Sequence, residues 1–364
     1  MSAPLEGIQV VDFSELLPGP FLTQNMVELG ASVIKIERPP HGDNARRLGP
    51  GLFTAMNRGK TSVLADLKDE DQRLRVRELV AQADVVIESY RPGTLARYGL
   101  DYASLALDCP RLVYASLTGY GQTGPDAMLP GHDLNYLAAT GALALSGGSD
   151  GVPSSSMGLP VADMSGAMMG LSAVLAALYQ REKTGAGQYL DVSLTESALH
   201  WMNPRLGNFH HAKRHDLAEQ RKATLHRPAY GTFRCLDGRY ITVGALEDVF
   251  WKRLIMVLDL GAFGAAQYES HATRAAHAVA INGALAAAVA RYASTDVVRL
   301  LQEADVPVMA MVEPSALPAH PQHMARGVLT PTQAGPLCRF PVRLTGMAST
   351  PHSACGLNDH SGKK

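Results

Sequence analysis

Short apolar runs alternate with helix-spaced stretches through the first third of the chain. Ile8-Gln-Val-Val-Asp-Phe13 reads as a buried strand, and Phe21 to Leu29 as a helix closed by Gly30. Ser32-Val-Ile-Lys-Ile-Glu37 is a second strand, stopped by Pro39-Pro40, and Thr61 to Leu67 a third. Glu70 to Gln82 has the charge density of a surface helix. Ala83-Asp-Val-Val-Ile-Glu88 and Leu112-Val-Tyr-Ala-Ser-Leu117 are further strands, with a short helix placed after Pro92. Strands separated by helices predict an α/β fold with a mostly parallel, doubly wound sheet.

Beyond Gly131 the texture changes. His132 to Leu145 and Asp163 to Tyr179 carry helical spacing, and Gly166 and Gly170, four apart, share a face that permits close helix packing. Ser193-x-x-Glu196 is a capping box. Lys213 to Arg227, rich in charge and histidine, reads as an exposed connector. A second unit follows: strands at Tyr230 to Arg234 and Tyr240 to Val243, then helices over Asp248 to Leu258, Ala276 to Tyr292 and Val297 to Glu303. From about Val328 the pattern is Pro-rich and irregular.

Composition narrows the functional classes. In 364 residues, 46% are hydrophobic and 18% charged, enough for a sizeable core and against disorder. Lys+Arg of 33 against Asp+Glu of 34 provides no whole-chain electrostatic footprint for nucleic acid or a membrane surface. Cys109, Cys235, Cys338 and Cys355 lie far apart, without the spacing of a zinc site or a disulfide framework, so no metal is expected. Neither a basic-then-apolar leader nor a run of about 18 apolar residues is visible, which makes the cytoplasm the expected location and membrane attachment unexpected. After the first strand the chain reads Ser14-Glu-Leu-Leu-Pro-Gly-Pro20, with no G-x-G-x-x-G, so a dinucleotide cofactor loses its main support.

Eight blocks, in order, carry a resemblance: Leu17-Pro-Gly-Pro20, Leu29-Gly-Ala-x-Val-Ile-Lys-Ile-Glu-Arg38, Asn57-Arg-Gly-Lys60, Arg91-Pro-Gly93, Gly119-Tyr-Gly-Gln-Thr-Gly-Pro125, Gly131-His-Asp-Leu-Asn-Tyr136, Gly187-Gln-x-Leu-Asp-Val-Ser-Leu194 and Phe340-Pro-Val-Arg. Together they resemble the type III CoA-transferase (CaiB/BaiF) superfamily, from Leu5 to about Gly356, and the Gly-His-Asp block is similar to its α-methylacyl-CoA racemase branch. The resemblance implies a Rossmann-like large domain from residues 1–200 plus about 328–364, a connector over 201–228, a smaller α+β domain over 229–327, and an interlocked homodimer. It also implies an acyl-CoA substrate with no separate cofactor, coenzyme A being part of the substrate.

Inverting a 2-methylacyl thioester requires a proton removed on one face of the α-carbon and returned on the other, hence two acid/base groups, with donors for the enolate oxygen. The resemblance assigns His132 and Asp163 to that pair. Unaided, a lone histidine is more often structural and an aspartate before a helix is usually its N-cap; the free N–H groups of that helix are then candidates for the enolate oxygen. Asp133 and Glu247, the latter in Val243-Gly-Ala-Leu-Glu247, look like carboxylates that orient the imidazole, with an exposed Glu at a helix start as the plainer reading of Glu247. Arg38, Asn57, Arg58, Lys60 and Arg91 are the expected contacts of the CoA phosphates and adenine, joined by Gly131 and Tyr136; Arg38 and Arg91 follow predicted parallel strands, where open α/β sheets bind ligands. Met157, Met164, Met168 and Met169 would offer acyl tails an adaptable surface, although methionines at such density are more often core filler. The alternatives are a CoA-transferase, with Asp163 as the nucleophile that forms a mixed anhydride, and a non-catalytic acyl-CoA binder.

Overall fold

The structure is a computed structural model that describes residues 2–148, 151–156, 158–345 and 353–359. Its central sheet has six strands: β1 (Gln9–Asp12), β2 (Ser32–Glu37), β3 (Thr61–Leu64), β4 (Val85–Glu88), β5 (Val113–Thr118) and β6 (Gln188–Ser193). All pair in parallel, in the order β3-β2-β1-β4-β5-β6. The order reverses between β1 and β4, which opens a crevice at the carboxyl ends of those two strands. Four strands lie where the apolar runs predict them, within one or two residues. β6 was not predicted, because Gln188-Tyr-Leu-Asp-Val-Ser193 is neither a clean apolar run nor a strict alternation.

Two helices cover one face of this sheet. Pro18–Glu28 starts on a proline, whose fixed φ suits a first turn, and packs against the long helix Val161–Thr184. A Cβ on Gly170 would stand 2.8 Å from Leu22 Cδ1, and one on Gly166 2.1 Å from Leu194 Cδ2, so the two glycines admit different neighbours to one helix. By length and composition Val161–Thr184 is long and apolar enough to cross a membrane, contrary to the expectation that no such run exists. Half of it is buried, with Ala167, Leu171, Val174 and Ala177 in the same cluster as β1, β4 and β5, as in a core helix.

Contacts divide the chain into two units. The first comprises the described parts of Met1–Leu143, Ser154–Leu206 and Pro321–Lys364. Its C-terminal portion holds a hairpin of β10 (Leu329–Thr332) and β11 (Gly335–Cys338), in a stretch whose proline content had predicted irregularity. Farther on, Asp359 Oδ1 accepts Ser62 N–H at 2.6 Å and Asn358 Oδ1 accepts Leu64 N–H at 3.0 Å, which occupies donors on the edge strand β3.

The second unit, Ala144–Pro153 and Gly207–His320, has an antiparallel sheet of β7 (Tyr230–Arg234), β8 (Tyr240–Gly244) and β9 (Val308–Ala310). Trp251, Leu254, Ile281, Leu285 and Val297 build its core. The segment 201–228 is not a bare connector, since it forms the helices Asn203–His211 and Leu217–Leu225. Arg221 donates to Ala144 O and Ser146 O, each at 2.7 Å, and so ties residues 144–146 into this unit.

Candidate active site

A cleft of about 660 Å³ lies at the carboxyl ends of β1, β4 and β5 in the first unit. The β1 end provides Glu15, Leu16 and Pro18; β2, Arg38; β4, Ser89 to Pro92; and β5, Leu117 to Gly119. Gly131, His132, Asn135, Tyr136 and Asp163 complete the wall. His132 and Asp163, 31 positions apart in the chain, thus share one cavity with Arg38 and Arg91.

Each member is placed by local chemistry. His132 is the exposed N-cap residue of the helix Asp133–Ala139, and its backbone N–H donates to Asn135 Oδ1 at 3.0 Å. The Tyr136 ring lies over two glycines: a Cβ would come within 2.4 Å of Tyr136 Cε1 at Gly119 and within 2.6 Å at Gly131. The Tyr136 hydroxyl donates to Gly131 O at 2.5 Å, and its ring meets Tyr120 edge-on at 5.3 Å. Gly131 and Tyr136 therefore brace the turn that carries His132, with both on the cleft wall.

Asp163 is the third residue of its helix and not the N-cap, a position held by Pro160. The cap comes from elsewhere in the chain. Asp133 Oδ1 accepts the N–H groups of Ala162 at 2.6 Å and Asp163 at 3.1 Å. One expectation changes as a result: these two amides are bonded to a carboxylate rather than turned toward an enolate oxygen. Asp133 thereby orients the Asp163 helix. Burial, then the nearby Asp133 charge, pushes the Asp163 carboxyl up to about 7. Burial, then Asp163, likewise pushes the Tyr136 phenol up to about 12.

Among the expected CoA contacts, Arg38 and Arg91 line the cleft, whereas Asn57, Arg58 and Lys60 are buried and occupied elsewhere. Lys60 Nζ reaches Asp12 at 3.2 Å, Thr23 Oγ1 at 2.7 Å and Asn57 Oδ1 at 2.9 Å; Asn57 Nδ2 donates to Phe53 O at 2.9 Å. Arg58 pairs with Glu28 at 2.5 Å and donates to Ala55 O. Their chemistry is internal. A lysine so enclosed keeps its charge only with partners, and Asp12, Thr23 and Asn57 supply them.

Lys35, in the middle of β2, is fully buried and pairs with Asp43 at 2.9 Å. Burial alone would push Asp12 up, but Lys60 and Lys35 outweigh it and hold its carboxyl at about 2. Glu247 lies in the second unit, at the N-cap of the helix Asp248–Val257, with no side-chain cap bond. Met168 packs on the core and neither Met164 nor Met169 lines the cleft; Met157 falls outside the described residues. Glu15 was not anticipated. Its position directly after β1, at a strand end that faces the crevice, was the available signal.

The sequence profile of CoA-transferase family III matches residues 5–360. The chain is 32% identical to the acetyl-CoA:oxalate CoA-transferase of Acetobacter aceti over 362 residues, covering 97% of this chain and 92% of that protein. It is 34% identical to the α-methylacyl-CoA racemase of Homo sapiens over 261 residues, or 70% of this chain and 65% of that one. A crystal structure of a CAIB/BAIF family protein from Brucella suis superposes with a TM-score of 0.87 at 31% identity, covering 99% of this chain and 98% of that one.

Proposed function

The chain belongs to CoA-transferase family III, and within that family we propose that it racemises or epimerises 2-methylacyl-CoA thioesters through an enolate. The observation that carries this reading is the shared cleft: an imidazole and a carboxyl group line one cavity beside two arginines suited to a phosphorylated substrate. His132 removes the α-proton from one epimer and Asp163 protonates the opposite face; for the other epimer the roles exchange. An Asp163 carboxyl pushed up to about 7 holds both protonation states near neutrality, as a group that must give and take a proton requires. Its pairing with a histidine separates this reading from transfer chemistry, which needs only the aspartate. The reading includes an interlocked homodimer, Glu247 as an orienting carboxylate for His132, a cytoplasmic location and no cofactor beyond the CoA of the substrate.

The experiment is NMR of a 2-methylacyl-CoA in D2O. Solvent deuterium should enter the α-position with the wild-type protein, and the exchange should disappear in folded His132→Ala. Full exchange in that variant would sink the assignment.

A second reading, an acyl-CoA:carboxylate CoA-transferase, draws on the near full-length similarity to the Acetobacter aceti enzyme. Asp163 would then attack the thioester carbonyl as a carboxylate, form an acyl-aspartyl anhydride and release CoA thiolate. Conversion of Asp163 to its hydroxamate by hydroxylamine during turnover, with the acyl group released as the free acid and without α-exchange, would favour it over the racemase.

A further inference from the structure

Glu15 places a carboxylate in a cleft whose proposed ligand is a polyanion. Simple Coulomb attraction would favour its absence, so its partners decide what it does. Glu15 Oε1 accepts from Arg38 Nε at 3.0 Å and Oε2 from Arg38 NH2 at 3.3 Å, a two-pronged pairing along one edge of the guanidinium. Asn44 Nδ2 donates to the same Oε2 at 2.9 Å and fixes the carboxylate from behind.

The loop that carries Glu15 is held without help from its side chain. Ser14 N–H donates to Asp12 Oδ1 at 2.9 Å, Glu15 N–H to Ser89 Oγ at 3.1 Å and Leu16 N–H to Asp43 Oδ1 at 3.1 Å. Fully buried Lys35 donates to Ser14 O at 2.6 Å and pairs with Asp43. Leu16 has φ +65°, a left-handed conformation unfavourable for leucine, which persists where surroundings over-determine it. The Glu15–Arg38 pair is not there for stability either, because the Arg38 side chain is 57% exposed and such pairs contribute little.

We propose that Glu15 is a positioning residue: it fixes the Nε–NH2 edge of Arg38 so that the opposite edge of the guanidinium faces a phosphate of the acyl-CoA nucleotide. This rests on the acyl-CoA reading above. A guanidinium has five donors in a rigid fork, so engaging one edge leaves a second pair, on NH1 and NH2, for another anion. Restraining a side chain with several free torsions before the ligand arrives removes part of the ordering cost of binding. The buried Lys35–Asp43 and Lys60–Asp12 pairs have a purpose under the same scheme, since they hold the loop on which Glu15 stands.

The test compares Glu15→Ala, Glu15→Gln, Arg38→Ala and the Glu15→Ala/Arg38→Ala double variant, with calorimetric affinity for an acyl-CoA and steady-state kinetics on acyl-CoA and acyl-pantetheine. Glu15→Ala should weaken acyl-CoA binding by about twofold to tenfold, the range expected for releasing one flexible side chain. The loss should fall on KM and not on kcat, and be absent with acyl-pantetheine, which has no nucleotide. Glu15→Gln, which keeps one acceptor for Arg38, should lose less, and in the Arg38→Ala background Glu15→Ala should add nothing. Unchanged or tighter acyl-CoA binding by Glu15→Ala would mean that Glu15 only competes for Arg38, and the proposal would be overturned. A loss that persists with acyl-pantetheine or without Arg38 would overturn it equally. If the wild-type protein binds no acyl-CoA, the functional reading falls first and this inference with it.

Discussion

Neutralising Asp163 should make the folded protein more stable while abolishing its chemistry, and the gain should depend on pH. In the unfolded chain this carboxyl titrates near 3.8; in the fold, burial and Asp133 push it up to about 7. Below pH 4 both states hold the proton and the residue contributes nothing. Between about pH 4 and 7 the unfolded chain releases its proton while the folded protein keeps it, so stability falls as pH rises; above 7 the penalty is constant. At ~1.36 kcal/mol per pH unit the ceiling is about 4 kcal/mol. Asp163 lines an open cleft and is only partly buried, so solvent screening reduces this to about 2 kcal/mol. Urea denaturation of wild type and Asp163→Asn at pH 4.5 and pH 8 measures it directly. The difference between the two pH values removes any pH-independent cost of the amide. The variant's advantage should grow by about 2 kcal/mol across that interval. An advantage that is flat or shrinks with rising pH would refute the claim that the fold raises this carboxyl.

Other consequences concern the fold that presents the site. Lys60→Met leaves Asp12 buried with one lysine fewer and should cost about 3 kcal/mol in urea denaturation, at the low end for breaking a buried pair because Lys35 remains nearby; a loss below about 1 kcal/mol would count against the buried network as a scaffold for the cleft loop. Gly166→Ala puts a Cβ 2.1 Å from Leu194 Cδ2 and 3.3 Å from its Cα, so the Leu194–Trp201 helix must shift; a cost of about 1–3 kcal/mol is expected from a melting curve. Asp133→Ala removes the acceptor for two helix N–H groups and should cost about 1 kcal/mol, with a larger loss of α-exchange as the Asp163 helix loosens.

The cleft was partly legible before the fold was known. Arg38 and Arg91 follow apolar strands, and strand ends of a parallel sheet are where ligands bind, so both fell on its wall. Asn57, Arg58 and Lys60, expected as CoA contacts without that support, come before a strand and not after one, and the sequence does not say on which side of the sheet such charges emerge. Lys60 emerges inward, against Asp12. Glu15 shows the opposite error: a residue between a strand and a helix that opens on Pro-Gly-Pro looks like a solvated charge until Arg38 is seen to complete it.

Alone, the sequence determined what depends on near neighbours in the chain. Apolar runs located five strands of the sheet, four of them to within two residues, Ser193 announced the helix after β6 through its capping box with Glu196, and eight ordered blocks identified the family. Tertiary structure decided what depends on distant partners. The N–H groups of the Asp163 helix are claimed by Asp133, thirty positions away. A lysine in the middle of a strand is neutralised by Asp43, and the segment 144–153 joins a unit whose main part begins some fifty residues later. Burial, and with it the acidity of Asp163, is a property of everything packed around a group, and no local window of sequence contains that information.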